Sequence, residues 1–147
     1  MTSKAEFEDV EWTVVLEGPP SAGMIVITAA KGGSFSETWA MSKAYAEARS
    51  AHGSSELLDE IVSSKPKMDH TRYHTPAELR TQCLQHLSDA VRIVATKGTP
   101  EELAAYQGFV VALAGRIAEA HTEGGVAVSA PEFDAIGEIK VALGLTE

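Results

Sequence analysis

Four short stretches of this chain fix where its helices have to start. A capping box sets Ser or Thr at the N-cap and Glu or Gln three residues on, so that each side chain accepts a backbone N–H of the other residue. The pattern occurs at Ser34 and Glu37, Thr75 and Glu78, Thr99 and Glu102, and Ser129 and Glu132. Thr75 and Thr99 are each followed by proline, which suits the first helical position because its missing N–H has no helical partner there anyway. Each box opens an apolar, periodic segment, so helices are expected to start near 35, 76, 100 and 130.

The spacing of apolar residues agrees. Leu103, Tyr106, Val110, Leu113 and Ile117 step by 3, 4, 3 and 4, which lines them along one helix face. Leu79, Cys83, Leu87, Ala90 and Val94 do the same in one segment, and Phe133, Ile136, Ile139 and Leu143 in another. The stretch SSELLDEIVSS adds a short helix near 55–64. Gly98 and the pair Gly124-Gly125 stand where C-caps belong, since glycine takes the left-handed conformation freely.

The first 30 residues are ambiguous. WTVVLEG and MIVIT are rich in β-branched residues and read equally well as two strands joined through PPSAG. A helical reading needs a break at Gly18-Pro19-Pro20, because proline disrupts a helix interior. An internal match favours helix over 20–31. Ala22, Gly23, Ile25, Gly32 and Gly33 recur as Ala114, Gly115, Ile117, Gly124 and Gly125, and the second copy has a helical period. Past the glycines, Ser34 and Glu37 match Ser129 and Glu132 once Val126-Ala127-Val128 is treated as an insertion. The expected fold class is all-α: a bundle of about five to seven helices, in which two helix–Gly-Gly turn–helix repeats form packed hairpins related by a pseudo-twofold axis. The chain reads as one helical domain over 1–147, with halves 1–64 and 76–147 joined by the polar segment 65–75.

Charge narrows the function classes. The chain has 12 Lys and Arg against 21 Asp and Glu, a net charge of −9. An acidic surface argues against nucleic-acid backbones and anionic membranes as partners. The single cysteine, Cys83, rules out an intramolecular disulfide and suits a reducing compartment. The N-terminal stretch MTSKAEFEDVEW carries acids where a signal peptide would carry a basic segment and then an apolar one, so a cytoplasmic location is expected.

Each candidate for chemistry has a simpler reading. His70 and His74, four apart beside Asp69, would share a metal on a helix, but Pro66 and Thr75-Pro76 bracket them as a solvated loop. His52 and His121 suit the last turns of helices, where an imidazolium favours the negative dipole end. Cys83 and His86 lie one turn apart, yet a cysteine on an apolar stripe is core material rather than a nucleophile. Trp39 is expected in the core. EGPPSAG reads as a helix break, with a backbone-lined binding notch as the alternative. There is no Glu-x-x-His, no phosphate-loop motif and no Gly-x-Ser-x-Gly elbow.

One resemblance rests on Ala118-Glu-Ala120, Glu123-Gly124-Gly125, Val128-Ser129, Glu132, Ile136, Ile139 and Ala142-Leu143-Gly144. This unit resembles the C-terminal part of a group of small, uncharacterised bacterial helical proteins. More distantly, both Gly-Gly units, over about 20–50 and 105–145, are similar to the repeat of tellurite-resistance TerB-like domains. That resemblance implies an all-helical fold, a link to stress and metal-oxyanion resistance, and metal binding through acidic residues. Glu37, Glu123 and Glu132 are the positions onto which such metal ligands carry over. The chain departs from the pattern in having Lys31 in place of an acid, and no Asp in either loop. The leading expectation is a non-enzymatic, stress-associated or regulatory bacterial protein without a cofactor. It would act through contacts with a protein partner or with itself as a homodimer. The alternative is a TerB-like module for a divalent metal ion or small molecule.

Overall fold

A computed structural model describes residues 6–29, 35–50, 56–63, 74–122 and 130–145 of the chain. The described residues form six helices and no strand: α1 (Asp9–Ala29), α2 (Phe35–Ser50), α3 (Glu56–Val62), α4 (Pro76–Lys97), α5 (Pro100–Thr122) and α6 (Ala130–Ala142). Four of the six start where the capping boxes place them.

Two of those boxes lie wholly within the described residues. At α5 the exchange is reciprocal: the Glu102 N–H donates to Thr99 Oγ1 at 3.1 Å, and the Thr99 N–H donates to Glu102 Oε1 at 2.9 Å. At α4 the Glu78 N–H donates to Thr75 Oγ1, but Glu78 Oε1 reaches one residue further back, to the His74 N–H at 2.6 Å. Ser34 and Ser129 lie outside the described residues. Gly98 ends α4 with an ordinary φ of −98°, not the left-handed one expected. It is glycine for room, because a Cβ there would lie 2.9 Å from the Val94 carbonyl oxygen and 3.1 Å from Glu102 Oε1. Gly124 and Gly125 lie outside the described residues, and among those described the left-handed glycine is Gly144, at φ 84°. There Leu145 N–H bonds the Lys140 carbonyl and Gly144 N–H bonds that of Val141, a Schellman ending of α6.

The expected break at Gly18-Pro19-Pro20 does not occur, and neither does the strand alternative. α1 runs through both prolines without interruption. Proline has no N–H, so Pro19 leaves the Val15 carbonyl without its helical donor. The replacement comes from α5: the Tyr106 hydroxyl donates to the Val15 carbonyl oxygen at 2.7 Å. Tyr106 is fully buried, and a buried hydroxyl needs a partner as much as the carbonyl does. Gly18 makes the approach possible, since a Cβ there would lie 2.0 Å from Tyr106 Oη. The notch that EGPPSAG offered as a binding feature is thus occupied by the protein's own side chain.

α1 is the centre of the bundle, buried from Gly18 to Ile27. α4 is its main partner, running antiparallel, as the pairing of Lys97 with Glu11 and the closeness of Gly18 to Ala90 show. α5 runs parallel to α1, with Tyr106 beside Val15 and Ile117 beside Gly23. The first pair of helices, α1 and α2, does not close into a hairpin, whereas α6 does touch α5. α2 packs chiefly on α5, and α6 on α1, α4 and α5, while α1 and α2 barely touch. The apolar face of α2 thus finds its area on a helix remote in sequence. Tyr45 of α2 meets Phe109 of α5 edge-on, with ring centroids 5.2 Å apart. Arg49 at the end of α2 donates through Nε to the Val62 carbonyl at 2.6 Å, closing the C-terminus of α3.

Candidate functional site

The expected α6 stripe of Phe133, Ile136, Ile139 and Leu143 is corrected by the structure. Ala135, Ile139 and Leu143 are fully buried, whereas Phe133 is 73% exposed and Val141 70%. The real stripe has the 4 and 4 spacing of 135, 139 and 143. Ala135 takes the buried place expected of Phe133, and its small side chain lets α6 lie close to the bundle. Phe133, Gly137 and Val141 are spaced by four residues and share the outward face of α6.

Beside that face lies an open groove of about 650 Å³ between α6 and α4. Its apolar wall is Leu84, Phe133, Val141 and Ala142, and its polar groups are Arg80, Asp134 and Glu138. Arg80 grips Glu138 with two bonds, Nε to Oε1 at 2.8 Å and Nη2 to Oε2 at 2.7 Å. Further along, Ser88 Oγ on α4 donates to the Ala142 carbonyl at 3.3 Å. These contacts tie the two helices together at the groove floor and leave Phe133 and Asp134 facing out. Neither Leu84 nor Arg80 drew notice in the sequence, because a surface groove depends on two helices about 50 residues apart.

Glu37 and Glu132 fall in the first turns of α2 and α6, and Glu123 lies outside the described residues. Among the described residues no group of three His, Cys, Asp or Glu side chains is placed to hold a metal ion. Cys83 is fully buried in the core, as its place on the apolar stripe requires. His86 is half-buried, with a buried Nδ1 that has no hydrogen-bond partner. His74 is exposed, and His70 and His52 lie outside the described residues. His121 falls in the last turn of α5, and Trp39 within α2.

Two electrostatic features belong to the frame. Lys97 Nζ bonds Glu11 Oε1 at 2.5 Å and the Glu6 carbonyl at 3.2 Å, and lies 5.9 Å from the centre of the Phe7 ring. Its hydrogen bond holds the Glu11 carboxyl below the usual range. Burial raises the Tyr106 hydroxyl pKa well above its usual value, with Tyr45 adding to the effect, and burial raises Tyr45 likewise. Both tyrosines are packing and bonding groups rather than acid–base groups near neutrality.

No helix among the described residues is long and apolar enough to cross a membrane. Comparison with models of protein families, with curated proteins and with solved structures finds no match for the chain.

Proposed function

We propose that this protein works through contacts with other protein surfaces rather than by catalysis, in a regulatory or stress-associated role in a bacterial cytoplasm. The observation that carries the reading is the outward face of α6, where Phe133 and Val141 stand exposed over the groove against α4. Large apolar side chains grouped on a surface mark interaction sites more often than isolated ones do. The stress association rests on the resemblance to TerB-like domains. The test is in-cell crosslinking followed by mass spectrometry. Adducts whose crosslinks map to α4 and α6 are expected, to another protein or to a second copy. Their absence would overturn the reading.

A second reading, binding of a divalent cation in the TerB-like manner, has one supporting observation. Because α1 and α5 are parallel, the first turns of α2 and α6, with Glu37 and Glu132, start from the same end of the bundle. Calorimetric titration with calcium, magnesium and zinc tests it. No heat and no shift in melting temperature would exclude it.

A further inference from the structure

We propose that the groove between α4 and α6 receives a cationic amphipathic helix of another protein. This rests on the reading that the chain acts through protein contacts, and it names the occupant of that surface. Phe133 and Val141 are eight residues apart, about 12 Å along the helix, a span suited to two or three apolar anchors at helical spacing on a partner. Gly137 lies between them, and a Cβ there would meet nothing within the chain. A mid-helix glycine costs helix stability relative to alanine, and the fold recovers none of it at this position. Gly108 and Gly115 on α5 are equally open, so the glycine is no sign by itself. Only Gly137 is flanked by two exposed large apolar residues, where a partner backbone gains from close approach.

Charge decides between occupants. Arg80 neutralises Glu138, while Asp134 makes no ion pair among the described residues and leaves the groove rim negative. The whole chain is negative as well, at −9. A basic partner gains from both.

A second copy gains from neither. Asp134 and Lys140 stand three residues to either side of Gly137, hence about 60° to opposite flanks of the apolar stripe. A second copy brings the same net charge of −9 and the same Asp134, so its docking sets like charge against like.

The test uses the full chain and a synthetic 14-residue helical peptide with leucines on one face and lysines on the flank that meets Asp134. Saturable one-to-one binding is expected, with NMR shift changes centred on Leu84, Phe133 and Val141. Phe133→Ser weakens it by about tenfold and Asp134→Lys by about fivefold, more at low salt. Both residues are exposed, so both variants fold, which circular dichroism verifies.

The proposal is overturned in three ways: the peptide does not bind; a control with glutamates for the lysines binds equally; or Phe133→Ser leaves binding unchanged. It is also overturned if the chain sediments as a dimer that Phe133→Ser dissolves, since a second copy then covers the face. If crosslinking in cells captures partners whose contacts ignore Phe133 and Asp134, this proposal fails while the wider reading stands. If crosslinking captures nothing, the wider reading fails by itself.

Discussion

Removing one oxygen atom from the core tests how α1 survives two consecutive prolines. In Tyr106→Phe the ring stays and the hydroxyl goes. The Val15 carbonyl, supplied at 2.7 Å by that hydroxyl and denied a helical donor by Pro19, is left buried and unpaired. An unsatisfied buried carbonyl costs about 1–3 kcal/mol. For a domain of this size that is a fall in Tm of roughly 3–10 °C. The cause is isolated by a double-mutant cycle with Pro19→Ala, which returns a backbone N–H four residues after Val15. Pro19→Ala is expected to rescue most of the loss in the Tyr106→Phe background and to do little alone. The coupling is therefore about 1–2 kcal/mol. Urea unfolding followed by the fluorescence of Trp12, a core residue packed on Phe7, reads all four states. If Tyr106→Phe shifts stability by under about 0.5 kcal/mol, or if the two changes simply add, the hydroxyl is not what replaces the missing helix bond.

Gly18→Ala drives a methyl group to 2.0 Å from Tyr106 Oη and is expected to cost about 2 kcal/mol, less in the Tyr106→Phe background. Gly23→Ala meets only the flexible end of Met41 as closely, so thermal unfolding should show a much smaller loss there. In alkali, stability should fall as pH rises above about 10. The unfolded tyrosines ionise there while burial keeps Tyr45 and Tyr106 protonated in the folded state, so the unfolded state binds fewer protons. A flat stability from pH 9 to 11 would contradict this. The Glu11 carboxyl titrates below its usual range, so its contribution is present above the unfolded pKa and lost as pH falls through the folded one. Lys97→Met should flatten that acid limb in urea titrations at about pH 3–5. Phe133→Ser should leave urea stability within about 0.5 kcal/mol of the parent, since the ring is 73% exposed; a larger loss would mean that it is packed after all.

The capping boxes made four helix starts legible because their chemistry is local: the partners lie three residues apart and need no tertiary context. The stripes of α4 and α5 were equally legible, since Cys83, Leu87, Val94, Tyr106, Leu113 and Ile117 are apolar residues on a regular period, and all are fully buried. Phe133 misled because size outweighed spacing. The matched glycines of the internal repeat turned out to differ in use. Gly23 makes room for Met41, while a Cβ at Gly115 would meet nothing. The groove was not legible, because its walls come from Arg80 and Leu84 on one helix and Phe133 to Ala142 on another.

By itself, the sequence determined an all-helical chain and where most of its helices begin, because caps and periodicity act within a few residues. Only the tertiary structure decided that α1 passes through Pro19 and Pro20, because the donor that replaces the missing N–H arrives from Tyr106, 91 residues away. Only it decided that α2 turns to α5 rather than back to α1, and that α6 buries Ala135 and exposes Phe133. Those outcomes depend on which distant face offers room and a partner for a polar group, and no local pattern carries that information.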